Sequence, residues 1–133
     1  MAFGFYLDSS LTLPISGNVQ INAGVSDYQF WIGNPTSGVK LQDATSPGIN
    51  SMEISIGDAT PAEGPEVTWI KLALTQAGLD SAVAGDPLDI GATIFGGTAN
   101  ALSFWCRITN SLSGTLSSTD LFLSLSNVKE FVV

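Results

Sequence analysis

Apolar side chains recur at every second position along most of this chain. Leu102, Phe104, Cys106 and Ile108 alternate with Ser103, Trp105, Arg107 and Thr109. Successive residues of a β-strand point to opposite faces of its sheet, so this period predicts strands with one buried face. The same pattern predicts eight strands, over residues 3–7, 19–23, 28–32, 51–56, 69–74, 88–94, 102–109 and 121–126.

Turn-forming residues separate these segments. Gly33-Asn34-Pro35, Ser46-Pro47-Gly48 and Gly96-Gly97 supply positive or fixed backbone angles where the chain reverses direction. The chain has 133 residues, which fits one domain spanning residues 1–133. Seven or eight short strands at even spacing predict an all-β fold, an antiparallel immunoglobulin-like β-sandwich, with a jelly roll as the alternative. We interpret the Ala-rich segment 74–84 as a crossover loop with at most one short helix that lies flat against a neighbour.

Charge is scarce and mostly negative. Four Lys and Arg face twelve Asp and Glu, for a net charge of −8. Nucleic acid and anionic lipid bind clustered cations, so the sequence predicts neither as a partner. No apolar stretch reaches a membrane span, and the N-terminus lacks the pattern of a secretory signal.

The residue types needed for catalysis are missing or dispersed. The chain has no His, so its serines lack the commonest activating base. The acidic residues fall mainly at predicted turns, where capping the backbone explains them better than paired hydrolytic carboxylates such as Glu63 and Glu66. We therefore expect no enzyme, no catalytic residue and no cofactor.

Two acidic regions offer oxygen ligands for calcium. One is the stretch 58–66, and the other combines Asp80, Asp86 and Asp89. Neither has the ligand spacing of an EF-hand loop, so we interpret both as solvated loops without metal.

Three tryptophans lie within predicted strands. Trp69 shares a predicted strand face with Lys71, and Trp105 shares one with Arg107. Both faces lie opposite the aliphatic faces of their strands, which indicates an exposed position or one in a subunit interface. The alternatives are burial between the sheets and, together with Trp31, a platform that stacks on sugars. Cys106 shares the apolar face of its predicted strand with Phe104 and Ile108, so we expect it to be buried and chemically inert.

A family resemblance rests on three segments of the chain. They are the opening Phe3-Gly4-Phe5-Tyr6-Leu7-Asp8, the strand Leu102–Thr109 and the run Asp120–Leu125. It resembles the small immunoglobulin-like virion structural proteins of tailed bacteriophages. The resemblance implies a non-enzymatic tail, baseplate or capsid-decorating subunit, made in the host cytoplasm and located in the virion. Its partners would be other virion proteins and copies of itself, and the alternative function is a lectin-like module that binds a host glycan.

The chain's own residues favour assembly through protein contacts. Ser103, Thr109, Ser124 and Ser126 stand on faces predicted to point outward, where an isolated domain usually carries charge. We expect the acidic residues to lie mainly in loops. We expect the apolar C-terminus to fray in a monomer and to add a strand to a neighbour. The interface candidates are Trp69, Trp105, Phe122, Phe131, Val132 and Val133.

Overall fold

The chain forms an all-β structure in a computed structural model that describes residues 3–15, 19–21, 24–58, 67–110, 116–118 and 121–133. The helical residues in these ranges belong to three short 3-10 helices, η1 (Val67–Trp69), η2 (Ala77–Asp80) and η3 (Thr98–Asn100). The strands are β1 (Gly4–Tyr6), β2 (Val19–Ile21), β3 (Gly24–Gly33), β4 (Val39–Asp43), β5 (Met52–Asp58), β6 (Ile70–Ala73), β7 (Leu88–Gly91), β8 (Thr93–Phe95), β9 (Leu102–Asn110), β10 (Leu116–Ser118), β11 (Leu121–Leu125) and β12 (Val128–Val132).

One layer is a four-stranded antiparallel sheet in the order β1-β3-β9-β6. Its centre is the long β3–β9 ladder, which runs from the pair Gly24 and Asn110 to the pair Ile32 and Leu102. A separate pair joins β2 to β10. The ladder fixes which side chains share a face, because residues directly opposite each other in adjacent strands point the same way.

The second layer is built from two three-stranded antiparallel sheets, β11-β5-β7 and β12-β4-β8. The same three lines of chain run through both sheets: β11 leads into β12, β7 into β8, and β4 into β5 through the excursion 44–51. All three lines are interrupted at one level. Positive φ angles of 88° at Gly91 and 55° at Asn127 accompany two of these breaks, and the Ala44 N–H donates to the Asn127 carbonyl across the gap at 2.8 Å.

Asp43 holds this break together. Its carboxylate accepts from the Ser46 N–H at 2.8 Å and the Thr45 N–H at 3.0 Å, which turns the chain out of β4. It also accepts from the side-chain amides of Asn50 at 3.3 Å and Asn127 at 3.0 Å. One buried carboxylate thereby ties the excursion to the β11–β12 line, and these hydrogen bonds, led by that from Ser46, lower the pKa of Asp43.

The inner faces of both layers share a single hydrophobic core. Phe104, Cys106 and Ile108 of β9 are buried against residues of the second layer, as the period-two alternation predicts. The core cluster comprises Phe3, Ile32, Leu41, Met52, Ile54, Ile70, Leu72, Ile90, Ile94, Phe104, Cys106 and Ile108. The predicted all-β, sandwich-like architecture is confirmed.

The order of the strands can be compared with that of the immunoglobulin fold. Leaving the β2–β10 pair aside, the lines of chain are numbered in chain order as β1, β3, β4–β5, β6, β7–β8, β9 and β11–β12. One layer then has the order 1-2-6-4 and the other has the order 5-3-7. The immunoglobulin order divides them as A-B-E-D and C-F-G. The immunoglobulin-like connectivity is therefore not confirmed by this pairing.

Several strand boundaries differ from the sequence prediction. The predicted strands omit β4, β10 and β12, and the segment 88–94 divides into β7 and β8 at Gly91. The predicted strand 69–74 is wrong at both ends, since Trp69 belongs to η1 and β6 ends at Ala73, which leaves Leu74 exposed. The C-terminus does not fray as expected, because β12 pairs with β4 of its own chain from Val128 to Val132.

The crossover segment after β6 folds as predicted. It contains η2, which lies against β6 and β9. Leu79 is buried outside the core cluster. A side chain at Gly78 would come within 3.2 Å of the Ala73 Cβ, so the small residues here do permit the close approach that the sequence indicates.

Replacing Ile54 with Ala tests the shared core. Ile54 is 0% exposed between the layers, so the change removes buried methyl groups and leaves a cavity, and we expect a loss of about 2–5 kcal/mol of unfolding free energy. The control change Val83→Ala, at a loop side chain that is 62% exposed, should stay within about 0.5 kcal/mol of wild type. Urea denaturation measures both, and equal effects would contradict the assignment of the core.

The lowered pKa of Asp43 predicts an acid-dependent loss of stability. The ionised group stabilises the fold above its ordinary pKa of about 3.9, and the contribution disappears as the pH falls through the lower folded-state value. Asp43→Asn should therefore be less stable than wild type near pH 7, and the difference should narrow below about pH 4. Thermal melts across this range test it, with exposed Asp86→Asn as the control; a difference that does not change with pH would contradict it.

Candidate interaction surfaces

The outward side of the four-stranded sheet carries a row of aromatic residues, here called the aromatic face: Tyr6, Trp31 and Trp105. Tyr6 lies directly opposite Trp31 in the β1–β3 ladder. Trp105 lies opposite Gln29, two residues from Trp31, which makes the two indoles diagonal neighbours. All three side chains are half-buried, so part of each ring faces solvent on the side away from the core.

Arg107 lies beside the aromatic face in a network of hydrogen bonds. Its guanidinium donates twice to Asp27, at 2.8 and 3.1 Å, and once to Asp80 of η2 at 2.7 Å. Gln76 reaches over to donate to Asp27 at 3.2 Å. The Arg107 hydrogen bond lowers the pKa of Asp27, and both carboxylates raise the pKa of Arg107, so the Asp27–Arg107 pair stays ionised near neutral pH. The bond from Arg107 to Asp80 fixes η2 on the sheet.

Trp69 and Trp105 occupy different environments. Trp105 shares its face with Arg107, as the alternation predicts, because both lie at outward positions of β9. Trp69 belongs to η1 rather than to a strand, and its side chain packs partly against the core cluster. The period-two pattern did not anticipate this, since a 3-10 turn rotates the residue out of the strand register.

The outward side of the second layer carries a basic group. Lys40 of β4 lies between Phe95 of β8 and Phe131 of β12. Lys129 lies 5.7 Å from the centre of the Phe131 ring. We call Lys40 and Lys129 the basic pole. The sequence offered a signal for it, since Val39 and Leu41 alternate with Lys40 and Gln42, but the pairing with Phe95 is visible only in the register.

Exposed apolar side chains, here called the C-terminal patch, lie at the same end of this layer: Val132 is 83% exposed, Val133 is 68% exposed and Phe95 is 48% exposed. They do not share one face. Phe131 and Phe95 flank Lys40 on the outward side, whereas Val132 lies opposite Val39, which packs against the core, and so points to the other side of the sheet. Three of the interface candidates are consecutive residues at this end of the chain. Another, Phe122, is on β11 opposite Gly57 in the ladder, and its side chain lies outside the described part of the structure.

The acidic residues do not lie mainly in loops as expected. Among those in the described ranges, six lie within strands, namely Asp27, Asp43, Glu53, Asp58, Asp89 and Glu130. Glu53 and Asp89 are directly opposite each other in the β5–β7 ladder, and both are exposed. We call this pair the acidic pole.

Other candidate chemistry finds little support in the described residues. Within them no three His, Cys, Asp or Glu side chains are grouped to hold a metal ion, so Asp80, Asp86 and Asp89 do not form the cluster considered above. Residues 59–66, including Glu63 and Glu66, lie outside the described ranges. Cys106 is buried, and desolvation raises the pKa of its thiol to about 12, so it is unreactive near neutral pH.

Comparison with protein-family models, curated proteins and solved structures finds no match for this chain. In the part of the chain that the structure describes, no helix has the length and hydropathy to cross a membrane. The surfaces described above are therefore the basis for a functional proposal.

Proposed function

We propose that this chain is a non-enzymatic structural protein of a tailed-phage virion, a tail, baseplate or capsid-decorating subunit that acts by protein–protein assembly. The observation that supports this best is the C-terminal patch. Val132 and Val133 are more than half exposed at the end of β12, and Phe95 is nearly half exposed on the outward side of the same sheet. Several exposed apolar side chains at one end of a sheet are typical of a region that another protein covers.

The position of the patch on an edge strand adds to this proposal. In the order β12-β4-β8, β12 pairs with β4 on one side and is the outermost strand on the other. An outer strand offers unpaired backbone groups to a strand of a neighbouring protein. The C-terminal strand can therefore recruit a partner from its folded, paired state without first detaching.

The immunoglobulin-like relationship, the virion location and synthesis in the host cytoplasm are parts of the same proposal. They are supported by the resemblance of the strand sequences and by the shortage of charge on outward positions such as Ser103 and Thr109. The copies of this chain and other virion proteins are its proposed partners.

Val132→Asp tests assembly through the patch. A charge at this exposed position would have to be desolvated on association, so we expect normal folding and at least about tenfold less incorporation into particles. Val25→Asp, at a position that is 63% exposed on the other layer, is the matched control. Mass spectrometry of purified particles from a phage carrying each variant provides the measurement, and absence of the wild-type chain from particles would refute the proposed function.

The aromatic face supports one second candidate, a lectin-like module for host glycans. Tyr6, Trp31 and Trp105 combine partly exposed rings with the polar groups of Gln29 and the Asp27–Arg107 network. Aromatic rings beside hydrogen-bonding groups suit a ligand that has both apolar faces and hydroxyl groups.

Glycan binding predicts a specific pattern among variants. On a glycan array, Trp31→Ala and Trp105→Ala should each weaken binding about tenfold or more, since each removes a stacking surface. Val25→Ala, on the same outward side, should leave binding unchanged. No binding by the wild type on the array, or equal binding by all variants, would exclude this function.

A further inference from the structure

The outward side of the second layer has opposite charges at its two ends. Its basic pole lies in the sheet of β12, β4 and β8, and its acidic pole lies in the sheet of β11, β5 and β7. The inner faces of both sheets contribute to one core, for example through Leu41 and Ile54. Both outer faces therefore point away from that core, and the two poles belong to one continuous surface.

The acidic pole lowers the stability of the monomer locally. Like charges directly opposite each other on adjacent strands destabilise a sheet. In the described structure, neither Glu53 nor Asp89 forms a salt bridge, and neither does Lys40 or Lys129. Asp89 accepts from the Gly91 N–H at 2.8 Å, and Lys129 lies over the Phe131 ring. Within the described residues, two of the four basic residues thus lie without a salt bridge on the surface that also carries this acidic pair.

The spacing between the poles follows from the ladders. Leu125 pairs with Ile54, so Glu53 is level with Ser126 on the β11–β12 line. Lys129 is three residues further along that line and Lys40 is opposite Phe131, five residues along. At about 3.3 Å per residue, the poles are separated by about 10–16 Å.

We propose that this surface is the contact between two copies of the chain, related by a two-fold axis that passes between the poles. The rotation places the basic pole of each copy over the acidic pole of the other. A two-fold contact uses the same patch on both copies, so each charge pairing occurs twice. This inference rests on the proposed assembly function and names one of its interfaces.

The excursion 44–51 lies near the proposed axis. A Cβ on Gly48 would be 3.1 Å from the side-chain amide of Gln42, and Gln42 donates to Thr93 on the outward side of the sheet. The excursion therefore covers this outward side between the poles, and it presents Ile49, which is 81% exposed. A two-fold axis here brings the two Ile49 side chains together, with charges on either side, as in interfaces with an apolar centre and a polar rim.

The area of this surface determines how strongly we expect the two copies to associate. Two lines of strand about 40 Å long and a third, β7–β8, about 26 Å long lie about 4.8 Å apart, which gives a contact of on the order of 1,000 Å² when both copies are counted. This is at the small end for specific interfaces, so we expect a weak dimer that higher salt weakens further, since salt screens surface charges.

Charge reversal tests the contact by sedimentation equilibrium on the full chain. The wild type should dimerise reversibly, and Lys40→Glu and Asp89→Lys should each weaken dimerisation about tenfold or more, because each substitution acts at two symmetric positions. Lys71→Glu, on the other layer, and Asp86→Lys, in a loop, make the same charge changes and should leave dimerisation unaffected. Circular dichroism and thermal melts verify that each variant is folded.

A mixing experiment uses two double variants, each of which reverses the charge of one pole. It distinguishes the pairing of opposite poles from a general effect of net charge on association. K40E/K129E has two acidic poles, and E53K/D89K has two basic poles, so each should be monomeric alone. An equimolar mixture should form a heterodimer at least as strong as the wild-type dimer. A monomeric wild type at all accessible concentrations, a dimer insensitive to the pole variants, or a mixture that remains monomeric would each overturn the inference. Wild-type chain found in purified particles would leave the proposed function standing in any of these cases.

Discussion

The Asp43 carboxylate is the contact on which the shape of the second layer depends. The three lines of chain in this layer break at one level, so the strand ladders alone do not join the two short sheets. Asp43 binds the turn after β4 through Thr45 and Ser46 and the β11–β12 line through Asn127. Because one group contacts both sides of the break, the two short sheets stay aligned and close over the common core.

This alignment also determines what the outer surface offers. If the two sheets were free to rotate, the basic and acidic poles would have no fixed relation, and no second copy could match both. The excursion that Asp43 turns out of the sheet adds Ile49 between the poles. The same carboxylate thus supports the core on one side and the proposed contact on the other.

The sequence predicted the elements whose burial is periodic and missed those determined by register. In β9, Phe104, Cys106 and Ile108 alternate strictly, and both the strand and its buried face were predicted correctly. Val39 and Leu41 carry the same period over only five residues, which is too short to separate β4 from the turns around it. No period identifies Tyr6 as the neighbour of Trp31, or Phe95 as the neighbour of Lys40, because those pairings depend on how distant strands align. The prediction for Trp69 is wrong for a local reason, since Trp69 closes the 3-10 turn η1 and β6 begins only at Ile70.

The net charge of −8 affects the approach of two copies at long range, whereas the basic and acidic poles of the second layer affect it at short range. Two copies approaching in an arbitrary orientation repel each other, because each carries an excess of acidic residues. When the outer faces meet in the two-fold orientation, the opposite poles become the closest charges and the repulsion between the remaining acids is screened. Charge in this protein would then select the orientation of association, while the apolar side chains of Ile49, Phe95 and Phe131 would supply its affinity. A scarcity of charge is useful for such a surface, because every additional acid or base on the outer face would add a competing orientation.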